Sequence, residues 1–269
     1  PTLGSGRSSQ EPHEREENGQ NSPRRHPEKK PAQRDQYPKA HRHVMAREDH
    51  RIGRRQEEAL AAFAPQVHWI STLPDEINGV VIANEVLDAV PCERVYFHQG
   101  VHNRVGVSHR DQRFVLKSRP LADDTPHSLL AAAARIPANE GYLSELNLEA
   151  EALVRTVTER MRDAVALWLD YGFPRAEYYH PQRRDGTLMC HVQHRTHSDV
   201  FFAPGMQDIT AHVDFTAMAH AAREGGAGQI AYTSQAAWLL EAGLLDALVT
   251  VGPPGSAAYL TASNAVNRL

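Results

Sequence analysis

Cysteine is almost missing from this chain: its 269 residues hold two, Cys92 and Cys190. That excludes a disulfide framework and makes a reducing compartment the default. No apolar run approaches the ~20 residues needed to cross a bilayer. The first residues show no apolar core of a signal peptide, and the Glu and Asp among their arginines do not suit a transit peptide. There is no Cys-x-x-Cys pair and no serine in a nucleophile-elbow pattern, which removes the usual signatures of a zinc framework and of a Ser-His-Asp hydrolase. Internal repeats are absent as well.

A concentrated basic surface is also lacking. Residues 1–55 carry 13 Lys and Arg against 8 Asp and Glu, whereas residues 56–269 carry 16 against 25. An acidic body does not suit nucleic acid, whose phosphates need clustered cations. Apolar residues make up 41% of the chain, and the shortfall is uneven. From residue 8 to about 50 the longest apolar stretch is Val44-Met45-Ala46, amid Gln, Glu, Arg, His and Pro. Such a segment buries too little to offset its ordering entropy, so disorder is expected there.

Order is expected from Arg54. Gln56 to Phe63 reads as a helix ending before Pro65, and Val67–Ile70 as a short strand. Gly79 to Ala83 is an apolar run that stops abruptly at Asn84, Glu85 and Asp88. This is how a buried parallel strand delivers polar groups to the crevice at its carboxyl end. A helix start over Glu85–Ala89 should follow, with Asn84 as its cap. Residues 93–117 alternate around Gly100 and Arg110-Asp111, predicting an antiparallel meander. Leu129–Ala134 reads as a short helix. Leu146–Arg162 is a longer one, with Leu148, Ala152, Val157 and Met161 on one stripe, and it feeds a second buried strand, Ala164–Leu169. That strand ends in Asp170-Tyr171-Gly172. Residues 173–210 fit neither period and read as a long ordered loop. A helix from Asp214, a strand over Gln229–Thr233 and a helix over Ala236–Leu248 complete an α/β pattern whose inter-strand helices suit parallel crossovers.

Two clusters could carry chemistry. Asn84, Glu85 and Asp88 are either a helix cap with dipole-favoured acids or the wall of a ligand crevice. Asp170, Tyr171, Gly172, Arg175, Glu177, Tyr178, Tyr179 and His180 are either a surface loop docked by its tyrosines or a pocket for a flat or cationic group. Cys190, His191, His194 and His197 have metal-binding side chains, but an adjacent Cys-His pair rarely converges on one ion, so no metal is expected. Gly4 and Gly6 form a lone Gly-x-Gly without a preceding strand.

The run Gly79-Val80-Val81-Ile82-Ala83-Asn84-Glu85-Val86-Leu87-Asp88-Ala89 closely resembles the MidA-like family of class I S-adenosylmethionine-dependent methyltransferases. That family includes the mitochondrial arginine methyltransferase that assists complex I assembly. The likeness continues through Ser144–Ala150, Asp170–Arg183, Gly186–Cys190 and Gly205–Phe215, and spans roughly residues 54–269. It implies a Rossmann-like sheet, incomplete at both ends, with the meander inserted and a substrate-side loop at about 171–210. S-adenosylmethionine is the implied cofactor and a protein side-chain nitrogen, such as arginine, the acceptor. The resemblance, taken with strand position, points to Gly4, Gly6, Asn84 and Glu85 on the cofactor side. Asp88, Tyr171 and Glu177 are the expected catalytic groups, and Arg175, Tyr178 and His180 the substrate-binding ones. A cytoplasmic protein is expected, or a mitochondrial one from a eukaryote. Residues 1–53 depart from the family: Gly4-Ser5-Gly6-Arg7 looks like the tail of a glycine-rich cofactor loop, and the apolar strand before Arg47-Glu48-Asp49-His50 is lacking. A corrupted or disordered leader is the expectation, and with it poor cofactor binding, or a chain retaining only a protein-interaction surface.

Overall fold

The computed structural model describes residues 55–267 other than Asp123 and His194, and the backbone alone at Pro65. The expectations for the leader, for Gly4 and Gly6 and for His194 lie outside these residues. Residues 55–59 are helical, and the chain then tightens into a 3-10 helix, Ala61–Gln66. The predicted stop before Pro65 is thus corrected: proline's fixed φ is compatible with a helical turn, and a short 3-10 segment has few donors to lose. Residues 67–70 are not a strand, since extended residues without a ladder partner gain little from β propensity.

Strand β1, Ile77–Asn84, pairs in parallel with β6, Met161–Leu169. The meander consists of β2 (Glu93–His98), β3 (Val101–Arg110) and β4 (Arg113–Pro120), and β5 (Leu143–Leu146) joins it in the antiparallel order β4-β3-β2-β5. Gln99 and Gly100 both take positive φ between β2 and β3, the two-residue turn whose twist matches a hairpin. The α/β class and the antiparallel meander are as expected. Parallel ladders are confined, among the described residues, to β1–β6 and to β7 (Gly172–Phe173) with β11 (Val213–Asp214), and one isolated parallel bridge joins Leu143 to Asp185.

Burial corrects the reading of the first parallel strand. Val80 and Ile82 of β1 are 66% and 69% exposed, so an apolar run that looked two-sidedly buried has an open face. Helix α1, His127–Ala133, lies under the meander with Val95, Ile136, Tyr142, Leu146 and Tyr178 in one core. Helix α2 runs from Leu148 to Arg160, because Leu146 belongs to β5 and Met161 opens β6. Its buried face is therefore Ala150, Val154 and Val157, at i, i+4 and i+7, while Ala152 of the expected stripe is exposed. This face meets Ala217, Met218 and Ala221 of α4 (Phe215–Glu224), with Leu87 and Val213 completing a second core.

The interval read as a loop contains β7, α3 (Arg175–Tyr178) and a three-stranded sheet in the order β10-β8-β9. These strands are β8 (Met189–Val192), β9 (Arg195–His197) and β10 (Asp208–Thr210), each too short to display a period. Residues 229–233 form no strand. The last predicted helix divides at Gly243 (φ +90) into α5, Gln235–Glu241, and α6, Leu244–Val251, and α7 follows at Ala257–Val266.

Candidate active site at the ends of the parallel strands

The β1–β6 ladder ends with Asn84 opposite Leu169. Glu85 then takes φ +49 while its N–H donates to the Leu169 carbonyl at 2.8 Å. A non-glycine residue in that region breaks helical continuity. The predicted helix start over Glu85–Ala89 is accordingly absent, and bends and turns replace it. The chain dives inward instead: Leu87 joins the core at 1% exposure and Asp88 follows at 5%.

Asp170, at the end of β6, ties this turn down. One of its oxygens, Oδ2, accepts from the Leu87 and Asp88 N–H groups at 2.9 and 3.2 Å, and Oδ1 accepts from Tyr171 N–H at 2.9 Å. Tyr171 in turn donates its phenolic hydrogen to Asp88 Oδ2. The other oxygen of Asp88, Oδ1, is buried with no partner among the described residues. Burial, and then the Asp88 carboxylate beside it, raise the Asp170 carboxyl, with the three backbone donors pulling the other way. Burial and the hydrogen bond to Asp88 push the Tyr171 phenol up to about 12, so it keeps its proton at neutral pH.

A short segment clasps this pair from the other side. Ala211 N–H donates to the Asp88 carbonyl and Val213 N–H to the Tyr171 carbonyl, both at 3.0 Å. Gly172 permits the approach: a Cβ there would sit 2.6 Å from Val213 N and nearer still to its carbonyl oxygen. The His212 ring stands edge-on to Tyr171 and to Phe173, with centroids 5.4 and 5.3 Å away. Burial, with a smaller push from Arg183, lowers its pKa and keeps the imidazole neutral. Arg183 itself lies over the Phe173 ring, 3.7 Å from its centroid.

The residues singled out in the sequence divide by position. Asp88 and Tyr171 are in contact, and Asn84 and Glu85 are exposed at the outer end of β1. Arg175 Nε donates to Asp214 Oδ2 at 3.2 Å, while Asp214 Oδ1 caps α4 through Ala217 N–H. Glu177 Oε1 accepts from Arg183 at 3.3 Å. Tyr178 is a core residue, 1% exposed, and His180 is exposed with its Nδ1 accepting from Gln182 N–H. Asp170 and His212 stood inside recognised blocks, yet only the three-dimensional contacts bring Asp170 to Asp88 and His212 to Tyr171. Cys190 is buried opposite His197 across β8–β9, and His191 meets Thr210 Oγ1 at 3.3 Å. Among the described residues no group of three or more His, Cys, Asp or Glu side chains could hold a metal ion.

A family model described as "Putative S-adenosyl-L-methionine-dependent methyltransferase" matches residues 34–233. The chain belongs to this methyltransferase family. Its sequence is 30% identical over 182 residues to the mitochondrial protein arginine methyltransferase NDUFAF7 homolog of Drosophila melanogaster, covering 63% of the chain and 38% of that relative. The protein arginine methyltransferase NDUFAF7 of Danio rerio, also mitochondrial, is 28% identical over 160 residues, covering 56% and 34%. A crystal structure from Burkholderia thailandensis bound to S-adenosyl-homocysteine superposes with a TM-score of 0.74 at 45% identity, covering 80% of this chain and 56% of that one. A native crystal structure from the same organism gives the same TM-score and identity over 80% and 58%. The chain thus spans little more than a third of its curated relatives and less than two thirds of these structures. The MidA-like resemblance and the α/β methyltransferase fold expected from the sequence are borne out.

Proposed function

We propose that this chain carries the strand-end part of a site that methylates a nitrogen on a protein side chain, arginine being the class named for its curated relatives, with S-adenosyl-L-methionine as donor. One observation carries the reading: the buried Oδ1 of Asp88, which has no partner among the described residues. A buried carboxyl oxygen without a donor is costly, and an incoming N–H donor relieves that cost. A guanidinium presents five such donors in a planar fork, suited to Asp88 with Asp170 beside it. The residues present therefore fit a cationic group, whether the acceptor nitrogen or the sulfonium of the cofactor. Asn84 and Glu85 lie where open α/β sheets hold their ligands and form the cofactor side, with Gly4 and Gly6 assigned to that side from the sequence. When bound, the cofactor supplies an electrophilic methyl group.

The chain's own residues do the rest. Tyr171 retains its proton and uses it to orient Asp88, leaving Oδ1 free for the acceptor. Asp170, held by three backbone donors, keeps the turn at Leu87-Asp88 closed against the strand ends and adds negative charge beside the acceptor. Arg175, Glu177 and His180 form the protein-substrate rim, and Tyr178 supports it from the core. The chain acts in the cytoplasm, or in the mitochondrion as its curated relatives are named. No helix among the described residues is long and apolar enough to cross a membrane.

Labelled methyl transfer from S-adenosyl-L-methionine to arginine-containing peptides tests the proposal. Asp88→Asn preserves size and should lower transfer by about 10²-fold while cofactor binding by calorimetry holds. An unchanged rate would remove Asp88 from the site. The second reading, a non-catalytic protein-interaction surface, is favoured by the exposed Val80, Ile82 and Val165, and predicts no cofactor binding at all.

A further inference from the structure

The block Ser144-Glu145-Leu146-Asn147, singled out in the sequence, touches neither Asp88 nor Tyr171. Glu145 is a fully buried carboxylate, at 0% exposure, on β5. Its Oε1 accepts from Arg94 Nε at 3.2 Å, across the β2–β5 ladder. Its Oε2 accepts twice from Thr187, from the N–H at 2.7 Å and from the hydroxyl at 3.1 Å. Gly186, at φ +78, brings the Thr187 backbone down onto the carboxylate, and a Cβ at that position would collide with it.

Thr187 passes the constraint on. With its hydrogen given to Glu145, the hydroxyl oxygen accepts the His212 N–H at 3.1 Å. Asn147 holds the same residue from its other side: its Nδ2 donates to the His212 carbonyl at 3.4 Å, and its Oδ1 accepts from Asp214 N–H at 3.4 Å. His212 is the middle of the clasp whose flanking residues, Ala211 and Val213, bind the carbonyls of Asp88 and Tyr171. Two side chains from one strand end thus fix the centre of a segment whose two arms hold the two halves of the Tyr171–Asp88 pair.

We propose that Glu145 is a positioning residue that acts through Thr187 and His212 to hold Tyr171 in hydrogen-bonding register with Asp88. The inference rests on the reading of Asp88 and Tyr171 as the working pair. Glu145 touches neither residue and contacts no open surface. It works as an anchor: a buried charge already neutralised by Arg94 has one direction left in which to accept, and Thr187 fills it twice. Side-chain anchors of this kind set the geometry on which an aligned displacement depends.

The test substitutes Thr187, the link, in the 269-residue chain. Thr187→Val keeps the shape and removes the hydroxyl, leaving His212 N–H without an acceptor, while Thr187→Ser restores one. For Thr187→Val we expect kcat to fall about tenfold or more with KM for cofactor within about twofold, and Thr187→Ser to recover most of the rate. A second readout does not depend on turnover. The Cζ resonance of Tyr171, assigned by its loss in Tyr171→Phe, should shift in Thr187→Val and return in Thr187→Ser. If the Tyr171 resonance and kcat in Thr187→Val match the parent, the positioning role is refuted. If instead Tyr171→Phe and Asp88→Asn retain full activity, the working pair is refuted, and the resonance alone decides whether Glu145 and Thr187 position it.

Discussion

Replacing Gly186 by alanine is the most demanding test of the buried anchor. Two costs arise there. At φ +78 an L-residue loses about 1–2 kcal/mol to the clash of Cβ with its own backbone. The added methyl would also stand 2.9 Å from Glu145 Oε2, and closer still to Oε1. That carboxylate cannot swing away without giving up Arg94 and both bonds to Thr187. Overpacking against a fixed group costs about 1–3 kcal/mol, which brings the expected loss to about 2–5 kcal/mol. Two other glycines separate the terms. Gly100 has φ +79 and open space around its Cβ direction, so Gly100→Ala incurs only the backbone cost. Gly141, at φ +77, would meet the tip of the Arg184 side chain, a flexible obstacle that can move aside. The stiffening of the unfolded chain is common to all three substitutions and cancels in the comparison. Urea denaturation should therefore place Gly186→Ala about 1–3 kcal/mol below Gly100→Ala, with Gly141→Ala close to Gly100→Ala. Agreement of the Gly186 and Gly100 variants within about 0.5 kcal/mol would refute the claim that Glu145 is locked.

Gly172→Ala drives a methyl into the Val213 backbone without any positive-φ strain, and should cost about 3 kcal/mol or more by breaking the β7–β11 pairing; a thermal melt within 2 °C of the parent would contradict it. Asp170 should leave its mark on pH dependence, because its folded pKa lies above the ordinary 3.8. Its carboxyl ionises first in the unfolded chain, so its contribution to stability is full below about pH 4 and declines as pH rises through the folded value. Asp170→Asn should flatten that decline in denaturation curves taken across the acid range, and an unaltered slope would show that Asp170 is not the group responsible.

Much of this architecture can be read in the residues, and the exceptions have physical causes. The meander is legible because its strands alternate and Gly100 and Asp111 mark its turns. The parallel ladder is legible from two apolar runs that end in polar groups, which also exposed Asp88 and Tyr171 as candidates. The inward dive at Leu87-Asp88 is not legible, because it follows from Glu85 adopting positive φ, a conformation that its residue type disfavours. Strands of three or four residues among histidines carry no period, so β8 to β10 looked like loop. Glu145 reads as surface charge in any hydropathy scan. Its burial depends on Arg94, opposite it on a neighbouring strand, and on a glycine 41 positions later.

The open ladder of β1 and β6 bears on the order in which this protein assembles. Val80 pairs with Val165, so the whole meander must be enclosed before the first parallel hydrogen bond can form. Closing a loop of about 85 residues costs about 4 kcal/mol in chain entropy, whereas the Gln99-Gly100 turn closes β2 on β3 almost without such a cost. A hairpin of that kind forms within about 1–10 μs. The meander and its helix are thus expected to form first, and the ladder, whose Val80, Ile82 and Val165 are exposed, to form late and to open separately. The groups of the proposed site are joined across that ladder, Asp170 on one strand end to Leu87 and Asp88 beyond the other. Local opening of two strands would therefore dismantle the proposed site while most of the fold remained intact.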